Sequence, residues 1–309
     1  MAETEWTPEA LSGRYEEIKS CIPQQLEAYA RFLREAAPED LRRWQQIAQD
    51  LKLELNLENG RIKYKKEFKP LELPVDICYI RHGKTQGNTE PRVFQGQVDY
   101  ANNQLTQQGQ QQAAAAATKL EAMAAAKEFI PDLLLSSPLL RAVHTAQPFV
   151  DANPKPLFRV LPELAEMAFG EWDNRKVAEL EKDDPAHLFY LQQNAVIKAK
   201  GPHRICCQLW QSPEWLEGKK ELPAENFLEC LDRQRKALIK VGEIAKELCG
   251  PSCGERKPRV AVYGHSMAGA AVSVLLGFGK EDQLGFLGFD GNYIMPNATP
   301  TILIPNAKP

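Results

Sequence analysis

No stretch of the 309-residue chain approaches the ~18 consecutive apolar residues expected of a membrane span, so nothing in it reads as crossing a bilayer. Basic charge is not in excess either. With 38 Lys and Arg against 41 Asp and Glu, the net charge of −3 offers no bulk attraction to nucleic acid or anionic lipid, and any charge that binds an anion has to be local. The opening residues Met1-Ala2-Glu3-Thr4-Glu5-Trp6 lack the basic segment and apolar core of an export signal and do not resemble a transit peptide. The seven cysteines are odd in number and irregular in spacing, which argues against a disulfide framework and for reduced thiols in a cytoplasmic protein. His203 with Cys206 and Cys207, and Cys249 with Cys253, match no standard zinc spacing, so no metal is expected. Cys78 reads as a small buried hydrophobe. Internal repeats and low-complexity linkers are missing as well. What remains, 43% hydrophobic and 26% charged, is the composition of a soluble globular chain, long enough for one large domain or for a domain with an extension.

Residues 8 to 52 carry helical stripes, with Leu26, Tyr29, Ala30 and Leu33 on one face and Leu41, Trp44, Ile47, Ala48 and Leu51 on another that begins near Pro38. The period then changes to two. Leu53, Leu55 and Leu57 alternate with polar residues, Asn59-Gly60 follows, and Ile62 and Tyr64 alternate with lysines, which predicts a hairpin with a two-residue loop. That loop would pair Leu57 with Ile62 and Leu55 with Tyr64. Residues 1–74 therefore read as a helical and β-hairpin extension ending at Pro70 and Pro74. The plainer reading is that it covers one side of the domain that follows; the sharper one is a module for self-association or a protein partner, since a lone hairpin is marginal unless it lies on something.

From residue 75 onward strand-like runs alternate with helical ones, predicting an α/β fold of three layers, α/β/α, with a mostly parallel central sheet. Strands are expected in the apolar run that begins at Ile77 and ends at His82, and at Leu133–Ser136, Leu157–Leu161, Val260–Tyr263 and Thr301–Ile304, and helices at 107–127, 224–248 and Met267–Leu276. The stretch from about 175 to 222 is irregular and reads as an insertion within a 75–309 domain.

Three of the strands end in reactive or cationic residues. Ile77-Cys78-Tyr79-Ile80 runs into Arg81-His82-Gly83, Leu133-Leu134-Leu135 into Ser136-Ser137-Pro138-Leu139-Leu140-Arg141, and Val260-Ala261-Val262-Tyr263 into Gly264-His265-Ser266. Ligands of open α/β sheets bind at the carboxyl edge of the strands, so one mouth could receive Arg81, His82, Arg141 and His265.

With Phe94-Gln95-Gly96-Gln97, Leu105-Thr106, Leu164-Ala165-Glu166, Phe169-Gly170-Glu171-Trp172, Glu225-Asn226-Phe227 and Asn297-Ala298-Thr299 in the same order, the chain from about 75 to 305 resembles the histidine phosphatase superfamily, in its phosphoglycerate-mutase-like branch with the Arg-His-Gly signature. The resemblance implies a phosphatase for the phosphate monoester of a small metabolite, working through a phosphohistidine without cofactor or metal. It makes His82 the nucleophile and Glu166 the proton donor to the leaving oxygen and then the base for water. Arg81, Arg141, His265 and Asn88 become the donors around the phosphoryl group. Neutral imidazole can attack phosphorus without adding negative charge, and guanidinium forks match phosphate oxygens in pairs. Thr85, Gln95 and Gly96 are further lining candidates, with loop hydrogen bonding an equal reading for Thr85 and Gln95. His144 reads as solvated or packing, and His187 and His203 have no motif behind them.

The chain departs from the family's pattern at Asp173-Asn174, where relatives carry Glu-Gly, and lacks the Ser-x-Trp and Glu-Arg-x-Tyr-Gly stretches of glycolytic mutases, which favours hydrolysis. The alternatives are mutase-type phosphoryl transfer and a phosphate-binding scaffold without turnover. Arg175, Lys198, Lys200, His203 and Arg204, with Trp210 and Trp215, predict that 175–222 forms a lid whose cations meet a second anionic group; a solvated flap is the rival reading. No nucleic-acid or membrane partner is expected.

Overall fold

The computed structural model describes residues 22–183, 194–199, 202–204, 221–289 and 295–305. Two helices come first, α1 (Ile22–Glu35) and α2 (Pro38–Asp50). They are separated at Ala37, whose extended backbone leads into a proline in the first turn, where a missing N–H removes no helical bond. The hairpin of β1 (Leu53–Asn56) and β2 (Arg61–Tyr64) pairs Leu53 with Tyr64 and Leu55 with Ile62. The expected pairing of Leu57 with Ile62 is therefore wrong by two residues. The loop is longer than Asn-Gly alone because residues 57–60 fold into a turn closed by Gly60 N–H donating to the Asn56 carbonyl at 2.8 Å. The Asn56 and Asn59 side chains accept from the N–H groups of Glu58 and Arg61, and Gly60 takes the left-handed φ of 67° that ends it. A shift of two keeps each residue on its expected face, so Leu53 and Ile62 are still buried together.

The central sheet contains β3 (Asp76–Arg81), β4 (Leu133–Ser136), β5 (Leu157–Val160), β8 (Arg259–Gly264) and β9 (Thr301–Leu303) in the order β5-β4-β8-β3-β9. All neighbours are parallel except β3 with β9. Alternate residues face opposite layers. Ile77, Tyr79, Leu133, Leu135, Val260 and Val262 join one apolar cluster with Leu238, Val241 and Val272. Cys78, Ile80, Leu134, Ala261 and Tyr263 join another with Ala116, Leu120, Ala146 and Phe149. The second layer is α3 (Gln107–Ala125) and α4 (Leu140–Ala152), the first α6 (Phe227–Cys253) and α7 (Ser266–Leu275). The helix expected at 224–248 starts three residues later because the Asn226 side chain caps it, accepting from Glu229 N–H at 2.9 Å, and it runs through Pro251 to Cys253. The short α5 (Val177–Asp183) and the pair β6 (Pro202–Arg204) and β7 (Glu221–Pro223) are what is described of the irregular stretch besides residues 175–176 and 194–199.

Tyr29, Trp44, Leu53 and Ile62 belong to the same apolar cluster as α6 and α7. Trp44 stacks on Phe32 with ring centroids 5.9 Å apart and donates from Nε1 to Glu229 at 2.9 Å. Tyr64 donates its hydroxyl proton to the Val274 carbonyl at 2.9 Å and accepts from Gly279 N–H. Among the described residues no helix is long and apolar enough to cross a membrane.

Candidate active site

The parallel register sets the two histidines beside each other. Arg81 pairs with Gly264, His82 N–H then donates to the Gly264 carbonyl at 2.9 Å, and the rings of His82 and His265 lie 5.4 Å apart at 55°. Both side chains are buried. His82 Nδ1 is 2.7 Å from the Gly83 carbonyl. A carbonyl only accepts, so Nδ1 carries the proton and Nε2 keeps its lone pair. Burial pushes the His82 pKa well below its ordinary value, with Arg141 and Arg81 adding to the effect, so the ring is neutral at neutral pH. The Gly83 N–H is held by the Thr145 hydroxyl at 2.9 Å, which in turn donates to the Arg141 carbonyl at 2.6 Å. The signature loop is thereby tied to the first turn of α4.

Arg141 is fully buried at the start of α4. It donates from Nη2 to the Gly96 carbonyl at 2.7 Å and from Nη1 to the Val98 carbonyl at 3.2 Å, so the loop carrying Gly96 orients the guanidinium. Arg81 donates from Nη1 to the Met295 carbonyl at 3.1 Å, while its Nε is buried without a hydrogen-bond partner. Burial lowers its pKa to about 10, against the opposing pull of Glu166. Each of these guanidiniums bears electrostatically on both histidines, which places the four side chains in one cluster.

His265 caps α7. Its Nε2 is 2.6 Å from Ser137 Oγ, and its Nδ1 is buried without a partner. Burial, followed by Arg141, His82, Arg233 and Arg81, pushes its pKa well below the usual histidine value. The backbone of His265 is clamped by Tyr79, whose hydroxyl accepts from His265 N–H at 2.8 Å and donates to its carbonyl at 3.1 Å. Tyr79 can reach there because residue 264 is glycine; a Cβ on it would collide with that hydroxyl.

Glu166, from the loop after β5, is held by the start of the same helix. Its Oε1 accepts from the N–H groups of Met167 and Ala268, both at 2.9 Å, and its Oε2 from Met267 N–H at 3.2 Å and from the Ser266 hydroxyl at 3.1 Å. This is the donor-rich environment of a helix N-terminus. The backbone of Glu166 is fixed separately, its carbonyl accepting from Gln97 Nε2 at 2.6 Å and from Arg233 Nη2 at 3.1 Å. Arg233 also donates to the carbonyls of Glu163 and Ala165 and pairs with Glu225 at 2.6 Å.

The remaining candidates form a cluster of their own. The Thr85 hydroxyl lies 2.9 Å from Asn88 Oδ1 and 2.8 Å from Gln95 Oε1, and Thr85 N–H donates to Asn88 Oδ1 at 3.1 Å. Thr85 and Gln95 thus act as loop hydrogen-bonders. The carbonyl of Asn88 is spent on its own turn, leaving its amide nitrogen as the donor for anything else. His144 is exposed. Lys198 pairs with Glu229 at 3.2 Å and lies over the Trp44 ring, engagements that a lid cation would have to give up. Arg175 accepts at its carbonyl from Phe94 N–H. Lys200, Trp210, Trp215, His187, Cys206 and Cys207, and the side chains of His203 and Arg204, lie outside what is described. Cys249 donates its thiol proton toward the Asp132 carbonyl at 3.6 Å.

Sequence reasoning missed Tyr79, Ser137, Thr145, Gln97 and Arg233. The signal for Ser137 was its place in Ser136-Ser137-Pro138 ahead of Arg141, for Thr145 its place one turn beyond Arg141, and for Gln97 its place in Phe94-Gln95-Gly96-Gln97; Tyr79 and Arg233 gave none.

Residues 77–199 match the family model of the histidine phosphatase superfamily, branch 1. The chain is 36% identical over 108 residues to an adenosylcobalamin/alpha-ribazole phosphatase of Escherichia coli, covering 35% of this chain and 48% of that protein. It is 34% identical over 108 residues to the Salmonella typhimurium protein of the same name, with the same coverage of each chain. The chain therefore spans about half the length of the curated relatives it matches. Among solved structures it is similar to a mycobacterial glucosyl-3-phosphoglycerate phosphatase, at 24% identity and a TM-score of 0.48 over 65% of this chain and 79% of that one.

Proposed function

We propose, from the match of residues 77–199 to the histidine phosphatase superfamily, that the protein is a phosphoric monoester hydrolase for a small phosphorylated metabolite, with His82 as nucleophile. The observation that carries this reading is the buried cluster itself. One neutral imidazole keeps a lone pair on Nε2, and two neighbouring nitrogens, Arg81 Nε and His265 Nδ1, are buried without partners. Buried polar groups are ordinarily satisfied. A phosphoryl group supplies what both lack, since its oxygens accept and its phosphorus takes the lone pair. The names of the curated relatives, phosphatases of a small metabolite, support the same class.

The mechanism follows from the residues. His82 Nε2 attacks phosphorus and forms the P–N bond as the P–O bond to the leaving alcohol breaks, while Nδ1–H stays on the Gly83 carbonyl. Arg81, Arg141 and His265 meet the charge on the phosphoryl oxygens. Glu166 gives its proton to the leaving oxygen from Oε2. Ser266, a rotatable hydroxyl, can reverse its bond to that oxygen as its protonation changes. In the second step Glu166 takes a proton from water, the water oxygen attacks phosphorus, the P–N bond breaks and Nε2 regains its lone pair. The test is phosphate release from an aryl phosphate, with trapping of acid-labile, base-stable label on the wild-type protein and its loss in His82→Ala. A wild-type chain that releases no phosphate and traps no label from a broad set of phosphorylated metabolites overturns the reading.

A further inference from the structure

We infer that Ser137 is a positioning residue that fixes the tautomer of His265, so that this imidazole presents N–H to the phosphoryl group. The inference deepens the hydrolase reading and rests on it for the identity of the acceptor; the tautomer itself does not depend on that reading.

The argument is a count of donors and acceptors. Ser137 Oγ has two neighbours within hydrogen-bond distance among the described residues, Leu139 N–H at 3.3 Å and His265 Nε2 at 2.6 Å. Leu139 N–H can only donate, so the hydroxyl proton of Ser137 has Nε2 as its acceptor. Nε2 is then the bare nitrogen and Nδ1 carries the hydrogen. The opposite tautomer would leave the Ser137 proton without an acceptor in a fully buried site, a costly omission. It would also turn the lone pair of Nδ1 toward whatever enters. Nδ1 is the ring nitrogen with no partner, and a phosphate dianion has only acceptors to offer it, so the N–H form is the useful one.

His82 and His265 are thus the same tautomer, protonated on Nδ1, but held by opposite nitrogens. His82 gives its hydrogen to Gly83 and shows a lone pair, whereas His265 takes a hydrogen from Ser137 and shows a donor. The charged and titratable groups around His265 come from every neighbouring element: Arg81 and His82 from the end of β3, Arg141 from α4, Arg233 from α6 and Glu166 from the loop after β5, bonded to the start of α7. Of these, none bonds to either ring nitrogen, which leaves Ser137 to set the hydrogen. Tyr79 bonds to the backbone N–H and carbonyl of His265.

The test is long-range proton–nitrogen correlation of the histidine rings in the 15N-labelled full chain near neutral pH, with and without inorganic phosphate. The wild type is expected to show His265 hydrogen-bearing at Nδ1. Ser137→Ala is expected to shift His265 toward the Nε2–H form and to weaken phosphate binding about tenfold, the scale of one lost hydrogen bond, with His82 unchanged. Ser137→Thr, which keeps a hydroxyl, is expected to retain the wild-type tautomer. An Nε2–H form of His265 in the wild type overturns the assignment without any variant. An unchanged tautomer and phosphate affinity in Ser137→Ala overturns it as well. A wild-type chain that fails to hydrolyse phosphate esters defeats the hydrolase reading instead, and leaves the spectrum to decide the tautomer.

Discussion

The carboxyl ends of β3 and β8 are neighbours in one parallel sheet, and each delivers a buried histidine, yet the two ends are built for different work. At β3 the chain leaves the strand through glycine and a loop tied to α4, so His82 is gripped by a carbonyl of its own backbone. At β8 the chain turns at once into α7, so His265 is gripped by a side chain from β4's end and by a tyrosine below. One grip takes a hydrogen from the ring and the other gives one. Identical side chains in one electrostatic setting acquire opposite roles through what binds the far nitrogen.

The largest expected effect breaks the comparison on the β3 side. On the proposed mechanism His82→Ala should lower turnover by at least about a thousandfold, because the P–N bond forms at that ring, and steady-state kinetics with label trapping measures it. Substitution on the β8 side should cost less. His265→Ala removes a donor and leaves the nucleophile, so a fall of about 10²–10³-fold in kcat is expected, with label still trapped, more slowly, on His82. If His265→Ala traps nothing while His82→Ala does, the two roles are interchanged.

Glu166→Gln sharpens the picture from the third side. The amide oxygen can still accept from Met167 and Ala268, so the fold should survive, and loss should depend on the leaving group. About a hundredfold is expected for alkyl phosphates and little for an activated aryl phosphate; equal losses on both would mark Glu166 as structural.

The smallest effect concerns stability. Burial above all lowers the pKa of both histidines. As pH falls through about 6.5, the unfolded chain takes up protons that the folded one refuses. Stability should be fully present above that pH and decline below it, by roughly 1.4 kcal/mol per pH unit for each histidine. Urea denaturation at pH 7.5 and 5.5 measures this, and replacing both histidines by glutamine should flatten the dependence.

Strand ends, layers and the cluster of Arg81, His82, Arg141 and His265 were legible because apolar runs and the residues that interrupt them are local patterns. The grips were not. Tyr79 sits inside an apolar run and reads as core, since nothing local shows that its hydroxyl meets residue 265 across the sheet. Arg233 is one cation among several on a helix, and its bonds to 163–166 join residues some seventy positions apart. The hairpin register failed for a related reason: Asn-Gly signals a turn, but the asparagine side chains at 56 and 59 chose a longer one.

The start of α7 has a consequence for how such a site can diversify. His265 is the cap of that helix, and Glu166 is pinned to the N–H groups of its second and third residues. The span between His265 and the Glu166 carboxylate is therefore gauged by one turn of helix, a rigid ruler, and not by the loop that supplies Glu166. Loops around the mouth can be lengthened or exchanged while that spacing stays as it is.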